Sequence, residues 1–362
     1  MSKKYTSTLV CVNDYEEYAQ NNLPNMYFEY YYGGAGQERT LEWNKIHYSK
    51  YRIKPKYMRT IRTRNLSTTI LGKPVAFPIG ISPTACQKLA HFEGECATAK
   101  AAQDLETIFI LSSHSNSSFE ELAKAAPHGK RWLQMYLFQN REMTKEFAKL
   151  AEANGFEALV ITIDYTMPGL RRHMLRNEFV LPPYAKYVLL ERYHERNVIS
   201  AVVNISDPDA DWSYVRWLTT ITKLPIVIKG ILTAEDAVAA ADVGASAILV
   251  SNHGGRQLDS IPSTIEALPE VVKAVGHRVE IYMDGGIRDG TDVYKALSLG
   301  ARMVFIGRPA IWGLVHGGSE GVKSILKILQ EELDNAMCLT GCSVISNLDQ
   351  ERVVHESYYA RL

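Results

Sequence analysis

In the segment Ser251-Asn252-His253-Gly254-Gly255-Arg256 a histidine and an arginine lie three residues apart, and elsewhere Asp164 precedes the pair Arg171-Arg172. A planar guanidinium binds a carboxylate through two parallel hydrogen bonds, and a neutral histidine can take a proton from a neighbouring carbon. An aspartate beside that histidine stabilises the imidazolium it becomes. These residue types together predict a carboxylate clamp next to a general base.

A second group points to an anion of another kind. Gly285-Gly286-Ile287-Arg288 and Gly307-Arg308 combine bare backbone amides with a guanidinium, the pattern of a phosphate site. No G-x-G-x-x-G follows a strand pattern and no G-x-x-x-x-G-K-[ST] occurs, which disfavours a Rossmann dinucleotide site and a P-loop. Lys229 stands among apolar residues, and a Schiff-base role is one reading of it. Ser112, Gln134 and Thr162 favour another: neutral donors and acceptors around one cation suit a flat heterocycle whose reduced form is anionic, as in a flavin.

These residues need a scaffold that brings them together. Three segments, TKEFAKLAEANGFEALVITID, TAEDAVAAADVGASAILVSN and GTDVYKALSLGARMVFIG, each run an amphipathic helix into a glycine and then a β-branched strand. The same strand type is predicted eight times, over Ala76–Ser82, Thr107–Ser113, Trp132–Phe138, Ala158–Asp164, Ile226–Gly230, Ala247–Asn252, Glu280–Gly285 and Met303–Gly307. Near-continuous apolar strands alternating with helices imply a parallel sheet, and eight of them close a (β/α)8 TIM barrel; an open doubly wound sheet is the alternative. Nearly every predicted strand ends in polar residues: Pro83-Thr84-Ala85, Ser112-Ser113-His114, Gln134 with Tyr136, Thr162 with Asp164, Lys229, Ser251 with His253, Asp284-Gly285, and Gly307-Arg308. Any one of these alone is equally compatible with a buried pair or a turn; the shared bias of all eight ends points to one site at the C-terminal face.

The chain of 362 residues is expected to form a single unit. Residues 1–70 are expected to be an N-terminal helical extension that caps the barrel, 71–345 the barrel, 177–212 a lid loop and 346–362 a tail. Lysine plus arginine balance aspartate plus glutamate at 40 each, so a nucleic-acid or polyanion partner is not indicated. No apolar run suits a signal peptide or a membrane span, and a soluble, non-secreted protein is expected. The five cysteines contain no C-x-x-C pair and suggest neither a disulfide framework nor a metal site. The ending Ala360-Arg361-Leu362 has the small-basic-leucine form read by the peroxisomal import receptor.

The segments PTACQKLAHFEGE, LSSHSNSS, WLQMY, VITID, IVIKGILTAEDA, SNHGGRQLD, DGGIRDGTDVYKALSLGA and FIGRP resemble, in order along nearly the whole chain, those of the FMN-dependent 2-hydroxy acid oxidases. This resemblance implies oxidation of an (S)-2-hydroxy acid to a 2-oxo acid, reduction of O2 to hydrogen peroxide, a peroxisomal location and a homotetramer. It implies His253 as base, Asp164 as its partner, Arg256 and Arg171 as carboxylate clamp, and Tyr136 at the substrate hydroxyl. It implies Lys229 near flavin N1, Pro83, Thr84, Ala85, Ser112, Gln134 and Thr162 along the ring and ribityl chain, Ser251 and Asp284 at the cofactor's polar edge, and Gly285, Gly286, Arg288, Gly307 and Arg308 at the phosphate. The family's Asp-Thr-Pro reads Asp164-Tyr165-Thr166 here. Two further departures are expected at the substrate: Phe28 for a tyrosine and His114 for a tryptophan. They shift the expected preference from glycolate toward medium- or long-chain acids. A dehydrogenase using another acceptor, a flavin-dependent isomerase on the same barrel, and a catalytically silent binder are the competing readings.

Overall fold

The computed structural model describes residues 8–191 and 206–361. Before the barrel come three helices, α1 (Val12–Asn22), α2 (Asn25–Tyr32) and α3 (Arg39–Ile46), then strand β1 (Tyr51–Ile53) and a hairpin of β2 (Thr68–Ile70) and β3 (Lys73–Val75). Eight strands follow: β4 (Ile79–Ile81), β5 (Ile108–Ser112), β6 (Lys130–Met135), β7 (Ala158–Thr162), β8 (Ile226–Ile231), β9 (Ala247–Val250), β10 (Glu280–Asp284) and β11 (Met303–Ile306). They pair in parallel and in chain order, and β11 returns to β4 to close the barrel. The expected TIM barrel is therefore the observed fold, and the open sheet is excluded.

Side chains alternate across a strand, and this alternation builds the barrel interior. Ile108, Ile110, Trp132, Ala158, Val160, Val227, Ala247, Leu249, Tyr282, Met303 and Phe305 form one buried cluster, with Ile70 and Val75 of the hairpin. The other face of the same strands, among them Leu133, Leu159, Ile161, Ile228 and Ile248, belongs to the larger core against the surrounding helices. Two residues beyond the last apolar layer, the inward register reaches Ser112, Gln134, Thr162, Lys229, Ser251, Asp284 and Gly307. Polar groups at these positions form a new layer on top of a dry plug.

The first 70 residues are not helical throughout. β1 pairs antiparallel with β12 (Val353–His355) from the expected tail, and the boundary expected at residue 70 falls inside the β2–β3 hairpin. Of the expected lid loop, residues 177–191 are described, and 192–205 lie outside the described residues. Leu362 of the terminal tripeptide also lies outside them.

Candidate active site

A cavity of about 510 Å³ opens at the C-terminal face of the barrel. Of the sequence-predicted residues, Pro83, Thr84, Ala85, Ser112, His114, Gln134, Tyr136, Thr162, Arg171, Lys229, His253, Arg256, Asp284, Gly285, Gly286, Arg288, Gly307 and Arg308 line it. Asp164 and Ser251 stand behind this wall, and Phe28 lies elsewhere.

His253 follows β9 at the start of a short 3₁₀ turn, in a left-handed backbone conformation with φ of 57°. A side chain other than glycine rarely adopts this conformation, so the turn constrains where the imidazole points. Its Nδ1 lies 2.7 Å from Oδ1 of Asp164. A carboxylate only accepts, so Nδ1 carries the proton and the neutral ring keeps Nε2 as its basic nitrogen. Burial holds the His253 imidazole below the usual histidine range; Asp164 pulls it upward and Lys229 pushes it down. Burial would raise the Asp164 carboxyl, but His253 and Lys229 outweigh that and keep it low. Space for Asp164 comes from Gly230, whose φ is 112° and where a Cβ would sit 2.8 Å from the aspartate's Cβ.

Lys229 points up from β8. Its Nζ donates to Oγ of Ser251 at 2.9 Å and lies 3.8 Å from Oδ2 of Asp284. Ser251 thus orients Lys229 and also accepts the His253 backbone amide at 3.2 Å. Nε2 of Gln134 donates to Oγ1 of Thr162 at 3.0 Å, and Ser82 donates to Oδ2 of Asp284 at 3.0 Å. Ser82 was missed from the sequence, although it continues the inward register through Gly80, where a Cβ would strike Phe305.

Two groups of cations face the cavity. Arg256 donates Nη1 to the Tyr30 carbonyl at 2.7 Å and lies over the Tyr30 ring at 5.4 Å. Arg308 donates to the carbonyls of Tyr31, Gly254 and Gly33 at 2.8, 2.9 and 3.2 Å. The C-terminal carbonyls of α2 are thereby satisfied by two guanidinium groups, an arrangement that the helix dipole favours. Burial, with Arg171 next, pushes the Arg256 guanidinium down to about 10; burial, with Arg256 and Arg288 next, pushes Arg308 down to about 9. The cations press on one another, so the site is short of negative charge.

Gly286 has φ of 80°, and a Cβ there would lie 1.8 Å from the Asn44 carbonyl oxygen, so only glycine leaves this turn intact. Arg288 lies beside it with Nε buried, and Gly307 is the N-cap of the helical span Arg308–Leu339, which kinks at Gly317 and Gly318. Among the described residues, Arg288 Nε, Asp284 Oδ1 and Asp164 Oδ2 are buried without a hydrogen-bond partner. Unpaired buried polar groups are costly, and the first two, on residues that line the cavity, mark places for a ligand's own donors and acceptors.

The expected departure at Phe28 is overturned. Phe28 is stacked between Tyr32 and Trp312 at 5.1 and 5.2 Å, outside the cavity. Tyr30, about 200° around α2 from Phe28, lines the cavity instead, together with Tyr31. His114 does line it, packed edge-to-face against Tyr136 at 5.4 Å and Tyr187 at 4.8 Å. Burial pushes the Tyr136 phenol well up, so it remains a hydrogen-bond donor. Sequence reading also missed Tyr165, whose ring lies 4.8 Å from that of Tyr136 and 6.1 Å from that of His253. Arg171 lines the cavity and Arg172 does not, which agrees with the choice between them.

Fold and site together define a closed barrel with one polar cavity at its C-terminal face: a glycine turn beside Arg288 and Arg308, a polar layer at the strand ends, and a buried histidine–aspartate pair beside Arg171 and Arg256. Residues 19–355 match the family model described as FMN-dependent dehydrogenase. The chain is 43% identical to 2-hydroxyacid oxidase 1 of Homo sapiens, covering 95% of this chain and 96% of that protein. It is 42% identical to glycolate oxidase of Spinacia oleracea, over 94% and 95% of the two chains. Among solved structures, mandelate oxidase with benzoyl-formic acid superposes with a TM-score of 0.88 at 37% identity, covering 96% of this chain and 98% of that one. This chain belongs to the FMN-dependent dehydrogenase family of hydroxy acid oxidising enzymes, and FMN is its cofactor. The unpaired buried atoms, the bare Gly286 turn and the excess of cations fit that group.

Proposed function

We propose that this protein oxidises (S)-2-hydroxy acids to 2-oxo acids and passes the electrons to O2, forming hydrogen peroxide. The observation that carries the reading is the single cavity lined by two cation groups and a histidine base. Arg288, with the amides of Gly285, Gly286 and Gly307, is placed to hold a phosphate, with Arg308 adding charge. Ser112, Gln134, Thr162 and Asp284 are placed along a ring system, with Ala85, Thr84 and Pro83 against it. Bound FMN would supply the two-electron acceptor, and Lys229 would set a positive charge beside its ring.

The remaining steps belong to the protein. Arg171 and Arg256 bind the substrate carboxylate and fix the α-carbon, and the Tyr136 hydroxyl donates to the substrate hydroxyl. His253 Nε2 takes the proton that leaves as the bond to the α-hydrogen breaks, and Asp164 stabilises the imidazolium. An isomerase on the same barrel has no need of this clamp beside a base.

The preference proposed here is for medium- or long-chain acids over glycolate. Phe28 no longer supports it. The support is the outer wall of the cavity, built from Leu170, Met174, Leu175, Phe179 and Leu181. Leu170 and Leu175 are exposed at 58% and 65%, apolar surface that an alkyl chain would cover at about 25 cal/mol per Å². Ala360-Arg361-Leu362 supports a peroxisomal location through the import receptor, and the family resemblance supports a homotetramer and a single functional unit over 1–362. The test is kcat/KM across straight-chain 2-hydroxy acids from two to sixteen carbons, with peroxide measured. A rise with length and one peroxide per 2-oxo acid agree with the proposal. A maximum at glycolate overturns the chain-length preference, and turnover only with a quinone or cytochrome overturns the oxidase.

A further inference from the structure

Arg171 is the N-cap residue of the short helix Arg172–Arg176, and its guanidinium makes no hydrogen bond to protein among the described residues. Its place at the cavity is therefore set by the backbone segment that carries it. That segment is anchored at three points. Gly36 donates its amide to the Leu170 carbonyl at 3.0 Å, Gly169 donates its amide to Oε1 of Gln257 at 3.1 Å, and His173 reaches across to the cap.

The third anchor is an imidazole with a carboxylate on either side. Nδ1 of His173 lies 3.0 Å from Oε2 of Glu29 in α2, and Nε2 lies 3.3 Å from Oε1 of Glu38 ahead of α3. Glu38 Oε1 also accepts the Gly34 amide at 2.7 Å, so the bridge is tied to the turn that ends α2. One ring nitrogen thus faces each carboxylate, and the imidazole spans the gap between α2 and the turn ahead of α3. The ring's own helix presents Arg172 and Arg176, and Arg171 stands two residues away. The bridge thus joins the positively charged segment to two carboxylates of the cap, and the same α2 carries the carbonyls that hold Arg256.

We infer that His173, set between Glu29 and Glu38, is a positioning residue that sets Arg171 beside Arg256 for the substrate carboxylate. This rests on the clamp role proposed above for the two arginines. It touches neither the base nor the phosphate end, so its loss acts on binding and not on the chemical step.

The experiment uses the FMN-loaded enzyme and His173→Gln, His173→Lys and the double variant Glu29→Gln/Glu38→Gln. KM and the rate of flavin reduction at saturation are measured for the best 2-hydroxy acid. The Kd of its 2-oxo acid product is measured by perturbation of the flavin spectrum, with flavin content and melting temperature confirming the fold. His173→Gln and the double variant are expected to raise KM and Kd together by about tenfold, short of the hundredfold that a 1 Å misplacement at reacting groups costs, with the saturated rate within twofold of native. His173→Lys, which keeps a donor facing the two carboxylates, is expected within threefold of native in both. Unchanged KM and Kd in His173→Gln overturn the inference. So does His173→Lys behaving like His173→Gln, or a loss confined to the saturated rate. Native enzyme that binds the oxo acid but reduces its flavin with no 2-hydroxy acid contradicts the proposed reaction, and the Kd series still decides the role of His173.

Discussion

The cavity has two walls of different construction. One is the ring of strand ends, where Gln134, Thr162, Lys229 and Asp284 stand on a barrel whose interior is closed by Trp132, Tyr282 and Phe305. The other is the cap, where α2 and the segment 165–181 bring Tyr30, Tyr31, Arg171 and Phe179 over the opening. On the first wall each polar group is fixed by its strand register and by a partner at another strand end. On the second, position depends on how helices and loops pack. The proposed function divides the work along the same line: the strand-end wall would hold the cofactor and the base, and the cap the substrate's carboxylate and side chain.

If that division holds, changes in the strand-end wall slow flavin reduction, and changes in the cap weaken binding. The largest effect is expected for His253→Gln, which removes the base while keeping a polar side chain. Flavin reduction at saturating substrate should fall on the order of 10²–10⁴-fold, with flavin content retained, as followed by anaerobic stopped-flow absorbance. Asp164→Asn comes next. Asp164 raises the pKa of His253, so its neutralisation lowers that pKa. The rise of kcat/KM with pH, which follows His253 losing its proton, should move to lower pH, and the plateau should drop because a weaker base remains. A limb that stays in place or moves to higher pH would break the assignment of this pair.

The smallest effects sharpen the cap side. Tyr30→Leu removes the ring under Arg256, a contact worth about 0.5–2 kcal/mol, so KM should rise roughly 2- to 30-fold with little change in the saturated rate. Phe28→Leu should leave KM unchanged and lower only the melting temperature, because Phe28 lies in the stack with Tyr32 and Trp312. Equal effects of the two variants on KM would place the cavity on the wrong side of α2.

The two walls were also unequally legible in the sequence. Buried parallel strands have near-continuous apolar runs and end where polar residues begin, so all eight strands and most of the polar layer could be placed from residue types alone. Strict use of the two-residue period would have added Ser82. The cap offers no such ruler. Phe28 and Tyr30 are two positions apart on a helix, a rotation of about 200°, so a shift of register by two turns a cavity residue into a core one. The stack of Phe28 on Tyr32, four positions on, shows which face is buried. Tyr165 was hidden for a related reason: it directly follows Asp164 in a loop, where no period predicts direction. The β2–β3 hairpin is too short to register as a pattern, although Ile70 and Val75 close the far end of the barrel.

The central claim is that one cavity couples a histidine base to FMN for the oxidation of a 2-hydroxy acid by O2. Its most direct test is anaerobic mixing of the flavin-loaded protein with a straight-chain (S)-2-hydroxy acid, followed by admission of air. The account predicts that the oxidised flavin absorbance bleaches, one 2-oxo acid forms per flavin, and air restores the absorbance with one hydrogen peroxide per flavin. A flavin that no 2-hydroxy acid bleaches, or one that bleaches and is restored only by a quinone or cytochrome, would contradict it.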